Sequence, residues 1–463
     1  AVPGPNTPWR VESGGQALTE TTPVTLVWDN GAGLIFRRVM SIDANYMFTV
    51  TQSVENLGDA EVRLAPYGIV ARHGVPGDLR RFYILHEGVI GVADGTLTET
   101  DWSDIPDLPF DAAEQANVLS APVARDGWIG FTDHYWMSTL AARPGQPFTA
   151  VTKYTPATDT FQTDMRLPVM AVAPGATAEI STWLFSGAKE WATIRDYQND
   201  LGIDRFVDAI DWGWFFFLTK PIFMALHYLN QLIGNMGWAI IGLTFIIKAL
   251  LLPLAYKSYV SMSKMKALQP EMEKIKETAG DDRMKMQQEV MALYKREKVN
   301  PAAGCLPILL QIPIFFSLYK VIFVTLELRH APFIGWIRDL SAPDPTSILN
   351  LFGLLPWAPP GPTSLFFIFS IGVWPILMGV SMWLQMKLNP APTDKTQAMV
   401  FAWMPWIFMF MLGTFASGLV IYWVANNLIT FTQQYWIMRS QGVKPEVMSN
   451  ILSVFRRRAR KAD

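Results

Sequence analysis

The sequence predicts a mixed protein: an N-terminal antiparallel β-sandwich, then an α-helical five-span membrane core with a cytoplasmic helical hairpin. Three observations carry that expectation. Residues 1–185 alternate apolar and polar side chains in short runs broken by Gly, Asn, Asp and Pro, the pattern of half-buried strands. The second half holds five long apolar stretches, interrupted by a polar segment at residues 256–300. Charge divides along the same line. Residues 1–212 carry 14 Lys and Arg against 27 Asp and Glu, a net of −13, and residues 213–463 carry 24 against 13, a net of +11, which together give the −2 of the whole chain. An acidic head on an apolar tail with basic loops reads as a water-exposed domain joined to a membrane domain.

In the head, TPVTLVWDN, GLIFRRVMSID, YMFTVTQSVEN and GWIGFTDHYWMSTL are the clearest strands, and their number favours a sandwich. Its aromatic residues Trp128, Phe131, Tyr135 and Trp136 read as core packing, with a ligand site as the alternative. Residues 186–236 form the connection. GAKEWATIRDYQNDLGIDRFVDAID is expected to be helical. WGWFFFLTKPIFMALHYLNQLIGN is apolar, but Lys220, His227, Asn230 and Gln231 interrupt it and Pro221 is expected to break it early. It reads as an amphipathic helix lying in the membrane interface, with a span as the alternative.

The first span, residues 237–255 (GWAIIGLTFIIKALLLPLA), carries one charge near its middle, Lys248. A lysine there costs about 2.5–3.5 kcal/mol on insertion scales, so it is expected to face a partner or a wet cavity. No span offers an obvious carboxylate, and the lysine is expected to sit unpaired in water. Thr244 lies one turn before it on the same face. Residues 256–300 read as a helical hairpin with arms at 261–278 and 281–299. Its methionines, Met262, Met265 and Met272 among them, recur at helical spacing, either packing the arms together or forming an adaptable docking surface. Four further spans follow within residues 301–438, at about 303–325, 365–386, 397–412 and 418–438. They carry Gln311, Tyr422, Asn426, Thr430 and Gln433, which read either as hydrogen-bonding glue between helices or as the lining of a hydrated cavity. For Lys248, Thr244 and Gln311 together the cavity is favoured, because glue does not explain a charge. Prolines 253, 307, 313, 375 and 405 are expected to kink these helices.

Residues 256–300 hold ten basic against seven acidic side chains, and the tail 439–463 holds seven against two, including Arg456, Arg457 and Arg458. Five spans place both on the cytoplasmic side and the acidic head outside. Beside a span the basic tail reads as a contact for lipid head groups or ribosomal RNA, not DNA. The sequence has no GxxxxGK[ST] phosphate loop, no HExxH and no GxSxG elbow, and Ser417–Gly418 has no histidine partner in a span. An enzyme is therefore not expected. A lone Cys305 and five scattered histidines (His73, His86, His134, His227, His330) offer no metal-ligand spacing, and no cofactor is expected. The opening AVPGPNTPWR lacks the pattern of a signal peptide.

LTFIIKALLLPLAYKSYVSMSKMKALQP, EVMALYKREKVNPAAGCLPILLQIPIFFSLYKVI, ELRHAPFIGWIRDLSAPDP and FASGLVIYWVANNLITFTQQ resemble, in order, the core of the YidC membrane protein insertases over about residues 211–439. The head is similar to that family's large periplasmic domain by position and class. The family carries a further N-terminal span with no counterpart in this chain. The resemblance implies a bacterial inner-membrane protein with a five-helix core around a hydrophilic groove, open to the cytoplasm and lipid and closed to the periplasm. Its positive charge falls on Lys248, where the family usually has arginine. Thr244, Gln311, Asn426 and Thr430 are placed in the groove. Phe315, Met411, Tyr422 and Trp423 are placed on an apolar slide. Met262, Met265, Met272, Arg456, Arg457 and Arg458 are placed in cytoplasmic docking. The implied partners are nascent membrane proteins, lipid, the ribosome and the Sec translocon, with the chain acting as a monomer. The alternative from another class is a small-solute or ion transporter that uses Lys248 as its binding charge.

Overall fold

The computed structural model describes residues 1–443 apart from 5, 16, 78, 80–84, 281, 301–305, 362–363 and 390–394. Arg456, Arg457, Arg458 and Cys305 lie outside the described residues. Two compact units result, Ala1–Gly213 with Val324–Leu326, and Trp214–Phe323 with Glu327–Asp463.

The first unit is the expected antiparallel β-sandwich. Its larger sheet has nine strands in the order Arg10–Ser13, Val24–Asp29, Leu34–Ile42, Met47–Asn56, Thr177–Ala188, Trp136–Ala141, Gly127–Thr132, Gly88–Ala93 and Thr96–Asp101. The smaller runs Tyr67–His73, Thr160–Arg166, Phe148–Thr155, Ala116–Val123 and Phe110–Asp111. Alternation fixes which side chains meet between the sheets: Val89, Ile129, Phe131 and Leu140 from one, Val123, Phe148, Phe161 and Met165 from the other. Of the four aromatics, Trp128 is fully buried and donates from Nε1 to the Asp204 carbonyl at 2.9 Å, and Phe131 stacks on Trp102 at 5.0 Å. Trp136 is exposed instead of packed. The stretch after residue 186 is not one helix. Its first residues extend the strand to Ala188, α1 covers Trp191–Asp200, and Gly202 at φ +70° turns the chain into a 3₁₀ turn at Phe206–Ala209.

In the second unit α2 is Phe216–Ile233, α3 Met236–Ala267, α4 Gln269–Ala279 and α5 Arg283–Arg296. Pro221 does not break α2, because the helix is anchored a turn earlier, where the Thr219 hydroxyl donates to the Phe215 carbonyl at 3.0 Å. Helix α3 begins at an Asn235 cap and runs through Pro253 without a break. It therefore joins the first apolar stretch to what the sequence assigned to the hairpin's first arm. The arm proper is α4, which Pro270 starts in its first turn, where a missing N–H costs nothing. Met262 and Met265 consequently lie in α3, buried with Tyr259, Val299 and Ile437, and Met272 is buried where it accepts from the Tyr294 hydroxyl at 3.3 Å. These three methionines pack the interior and present no docking face; Met284 and Met291 are the exposed ones on α5.

Helix α6 is Leu306–Val324, α7 Val373–Met386, α8 Lys395–Leu412 and α9 Ser417–Ser440. Among the described residues α3 is long and apolar enough to cross a bilayer, and Leu309–Val324, Val373–Met386 and Ala398–Leu412 are shorter apolar helices. The stretch 365–386 is not a single helix. A 3₁₀ turn at Leu365–Phe369 is separated from α7 by an extended Gly372, and Pro375 lies in the first turn of α7, where it does not kink it. The break is held by the preceding loop. Asp344 accepts from the Trp374 N–H at 2.9 Å and Thr346 Oγ1 from the Val373 N–H at 3.0 Å, capping α7. Gly237 gives close approach: a Cβ there would sit 2.0 Å from the Phe333 ring.

On the smaller sheet of the head, Glu114 joins Arg166 and Lys153 (2.9 Å), and Arg166 also reaches Asp164 at 2.7 Å. Hydrogen bonds from Arg166 first, then Lys153, hold the Glu114 carboxyl at about 2, against 4.5 unpaired. A lowered folded value stabilises above the unfolded one, so this contribution is whole above pH 4.5 and is lost as pH falls toward 2. Glu114→Gln is expected to cost the head about 1 kcal/mol at neutral pH, roughly 2–4 °C for a domain of this size, and to flatten that acid limb. Circular-dichroism melts across pH 2–7 check both; unchanged acid sensitivity in the variant would contradict the assignment.

Candidate functional site

The polar side chains of the second unit converge where α3, α6 and α9 meet. Helix α9 packs against α3 and α7, and Gly418 at its start lets it approach closely, its missing Cβ lying 3.3 Å from Ile240 and 3.5 Å from Ile322. On this frame Lys248 of α3 donates from Nζ to Gln311 Oε1 of α6 at 3.2 Å. Gln311 Nε2 in turn donates to the hydroxyl of Tyr422 on α9. Tyr422 is 2% exposed and Lys248 half-buried. A cation, an amide and a phenol thus form one chain across three helices, and the lysine is not alone in water as its sequence context implied. Its partner is neutral, however. Among the described residues no carboxylate pairs with Lys248, so its positive charge is hydrogen-bonded without being neutralised.

Thr244 does not join this chain. It is buried, and its hydroxyl donates to the Ile240 carbonyl of its own helix at 2.7 Å. Asn426 and Thr430 are also buried, and Asn426 Oδ1 has no hydrogen-bond partner among the described residues. Ser317 of α6, fully buried, is in the same condition. Such atoms are ordinarily satisfied by ordered water.

Sequence reasoning set Tyr422 on the apolar slide. The structure places its hydroxyl in the polar chain instead, because one helix position further, at Trp423, the side chain takes the other face. Trp423 meets Phe315 edge to face at 4.8 Å and Phe408 of α8 at 5.8 Å, an aromatic row across α6, α9 and α8. Met411 projects from α8 half-exposed. The glue between helices falls on residues the sequence did not single out: Asn427 donates to Ser381 at 3.1 Å and Gln434 to Asn389 at 3.1 Å. The doublet Asn426–Asn427 carried the available signal, since neighbours on a helix serve different faces. No group of His, Cys, Asp and Glu fit to hold a metal occurs among the described residues.

Gln311→Leu removes both the acceptor of Lys248 and the donor to Tyr422, and is expected to destabilise the purified chain by about 1–3 kcal/mol. Tyr422→Phe leaves the lysine bond intact and is expected to cost less, about 0.5–1.5 kcal/mol. Thermal unfolding in detergent reads the difference; equal effects of the two would show that the lysine does not depend on Gln311.

Comparison with known proteins agrees with this architecture. Residues 228–444 match the family described as the 60Kd inner membrane protein, and residues 1–225 match the YidC periplasmic domain. A relative from Roseobacter denitrificans named membrane protein insertase YidC is 66% identical over 459 residues, covering 99% of this chain and 75% of its own. One of the same name from Dinoroseobacter shibae is 64% identical, with the same coverage. A solved structure described as an active YidC insertase with its first transmembrane domain resolved is 19% identical, with a TM-score of 0.42, covering 93% of this chain and 84% of that one. By its near-complete match to these relatives, this chain belongs to the YidC family of membrane protein insertases.

Proposed function

We propose that this chain inserts nascent membrane proteins into the bacterial inner membrane by receiving their polar ends at Lys248 and passing their apolar segments along the aromatic row of Phe315 and Trp423. The observation that carries the reading is the uncompensated charge. Lys248 is held by a neutral amide, so it is free to meet an acidic group that arrives from outside. A cation inside the helical unit, with Asn426 Oδ1, unpartnered among the described residues, one turn from Tyr422 on α9, lowers the cost of drawing a polar terminus into the membrane. Burial of the client's apolar side chains, about 0.8 kcal/mol per methylene, then drives the transfer with no nucleotide. The chain acts by binding and desolvation and is not an enzyme in this reading.

In the proposed topology α3, α6, α7, α8 and α9 cross the bilayer, and α2 lies in the interface with Phe216, Phe217 and Leu232 turned outward. The hairpin α4–α5 and the basic tail lie in the cytoplasm, where they meet the ribosome and the Sec translocon, and the acidic head lies in the periplasm. Lys248, Gln311 and Tyr422 belong to one chain, so in this reading a monomer suffices. No observation favours the transporter alternative.

The test is insertion of a short acidic-tailed, single-spanning client into proteoliposomes. Lys248→Arg is expected to retain activity, and Lys248→Ala and Lys248→Glu to lose about tenfold or more, the equivalent of ~1.4 kcal/mol or above. Gln311→Glu is expected to keep the fold and lose insertion, because a permanent carboxylate would occupy the lysine. Equal activity across the set would remove Lys248 from the mechanism.

A further inference from the structure

The loop leading into α7 is built inside out. No charged residue occurs between Asp344 and Lys387. Within that interval the large apolar side chains point outward: Leu354 is 84% exposed, Phe366 67%, Trp357 54%, Phe369 51%, Ile368 50% and Leu351 49%. A loop in water arranges the opposite, and contiguous exposed apolar surface of this kind marks an interaction site. Its polar groups meanwhile turn inward on one another. Trp357 Nε1 donates to the Leu349 carbonyl at 3.0 Å, Asn350 Oδ1 accepts from the Gly353 N–H at 3.1 Å, and the Leu355 N–H reaches the Asn350 carbonyl at 3.0 Å. The Phe352 N–H is bonded to the Ser347 carbonyl at 2.7 Å, and Ser370 and Ser347 share a hydroxyl contact at 2.9 Å. Pro356, Pro359 and Pro360 remove three further backbone donors. Two consecutive non-glycine residues, Leu351 at φ +48° and Phe352 at φ +59°, accept left-handed backbone in the turn that sets these side chains outward. Satisfied backbone within and apolar side chains without is what a hydrocarbon solvent selects.

Length points the same way. Helix α7 has 14 residues, about 21 Å, against a hydrocarbon core of about 30 Å. The five residues of the 3₁₀ turn at Leu365–Phe369 add about 10 Å at ~2 Å each. We propose that residues 348–361 and 364–369 are seated among the acyl chains of the bilayer, completing the crossing that α7 begins and anchoring the core in one leaflet. The proposal rests on the reading that α7 spans the membrane. Irregular backbone is tolerated at that depth because Asp344, Thr346 and Ser347 satisfy the groups freed at the break.

Spin labels test it on the full chain in liposomes. In a Cys305→Ser background, Leu354→Cys and Phe352→Cys report on the loop, Leu377→Cys on the exposed face of α7, and Ser120→Cys on the head. Collisions with lipid-soluble oxygen and with a water-soluble nickel chelate are compared. The loop labels are expected to show an oxygen-to-nickel ratio several-fold above Ser120→Cys and comparable with Leu377→Cys. Free access of nickel to the loop with Leu377→Cys still in lipid would overturn the proposal and leave the crossing of α7 intact. Shielding of the loop from both reagents would overturn it in favour of a protein partner. Access of nickel to Leu377→Cys would remove the crossing and the proposal together. Phe352→Cys carries the same comparison if Leu354→Cys fails to fold.

Discussion

A charge with no counter-charge among the described residues governs the helical unit. Among the described residues Lys248 is stabilised by dipoles: the Gln311 amide, itself fixed by the Tyr422 hydroxyl. A carboxylate in that place would give a stronger pair and a closed site, because buried ion pairs hold each other while leaving nothing for a visitor. Neutral partners keep the ammonium in position and leave its attraction unspent. The surrounding helices follow from that requirement. Gly418 lets α9 approach α3, and Gln311 on α6 and Tyr422 on α9 must then face the same line.

The two halves solve opposite solvation problems. The head satisfies charge with charge, as in the Glu114, Lys153, Arg166 and Asp164 cluster on its sheet, and fills its interior with alternate strand residues. The helical unit joins its helices through hydroxyls and amides such as Asn427 with Ser381. Each choice fits its surroundings, since ions are readily hydrated in water and expensive in hydrocarbon.

Much of this was legible in the sequence because it rests on periodicity. Strand alternation located the sandwich, apolar length located the helices, and a lone lysine in an apolar run pointed to the hydrogen-bonded chain it forms with Gln311 and Tyr422. What stayed hidden depended on long-range geometry. That Tyr422 would face Gln311 while Trp423 faced Phe315 requires the rotation of α9 about its axis, which a local pattern with polar residues on several faces does not fix. The division of residues 365–386 was masked because an apolar run reads alike in a helix and in a broken one; its cause, the Asp344 carboxylate, lies 30 residues upstream of the Trp374 it caps. Pro221 misled in the reverse direction, since α2 runs on through the missing donor.

Helix α3 is one element of 32 residues, about 48 Å of continuous rod. Lys248 sits near its middle, and Met262 and Met265, two pegs in the packing with Ile437, sit near its far end. Such a rod works as a lever. A displacement of the end that Met262 and Met265 hold would therefore be felt at the ammonium group about 21 Å away, within the same helix. The packing at one end of the rod and the position of the charge near its middle are therefore mechanically coupled.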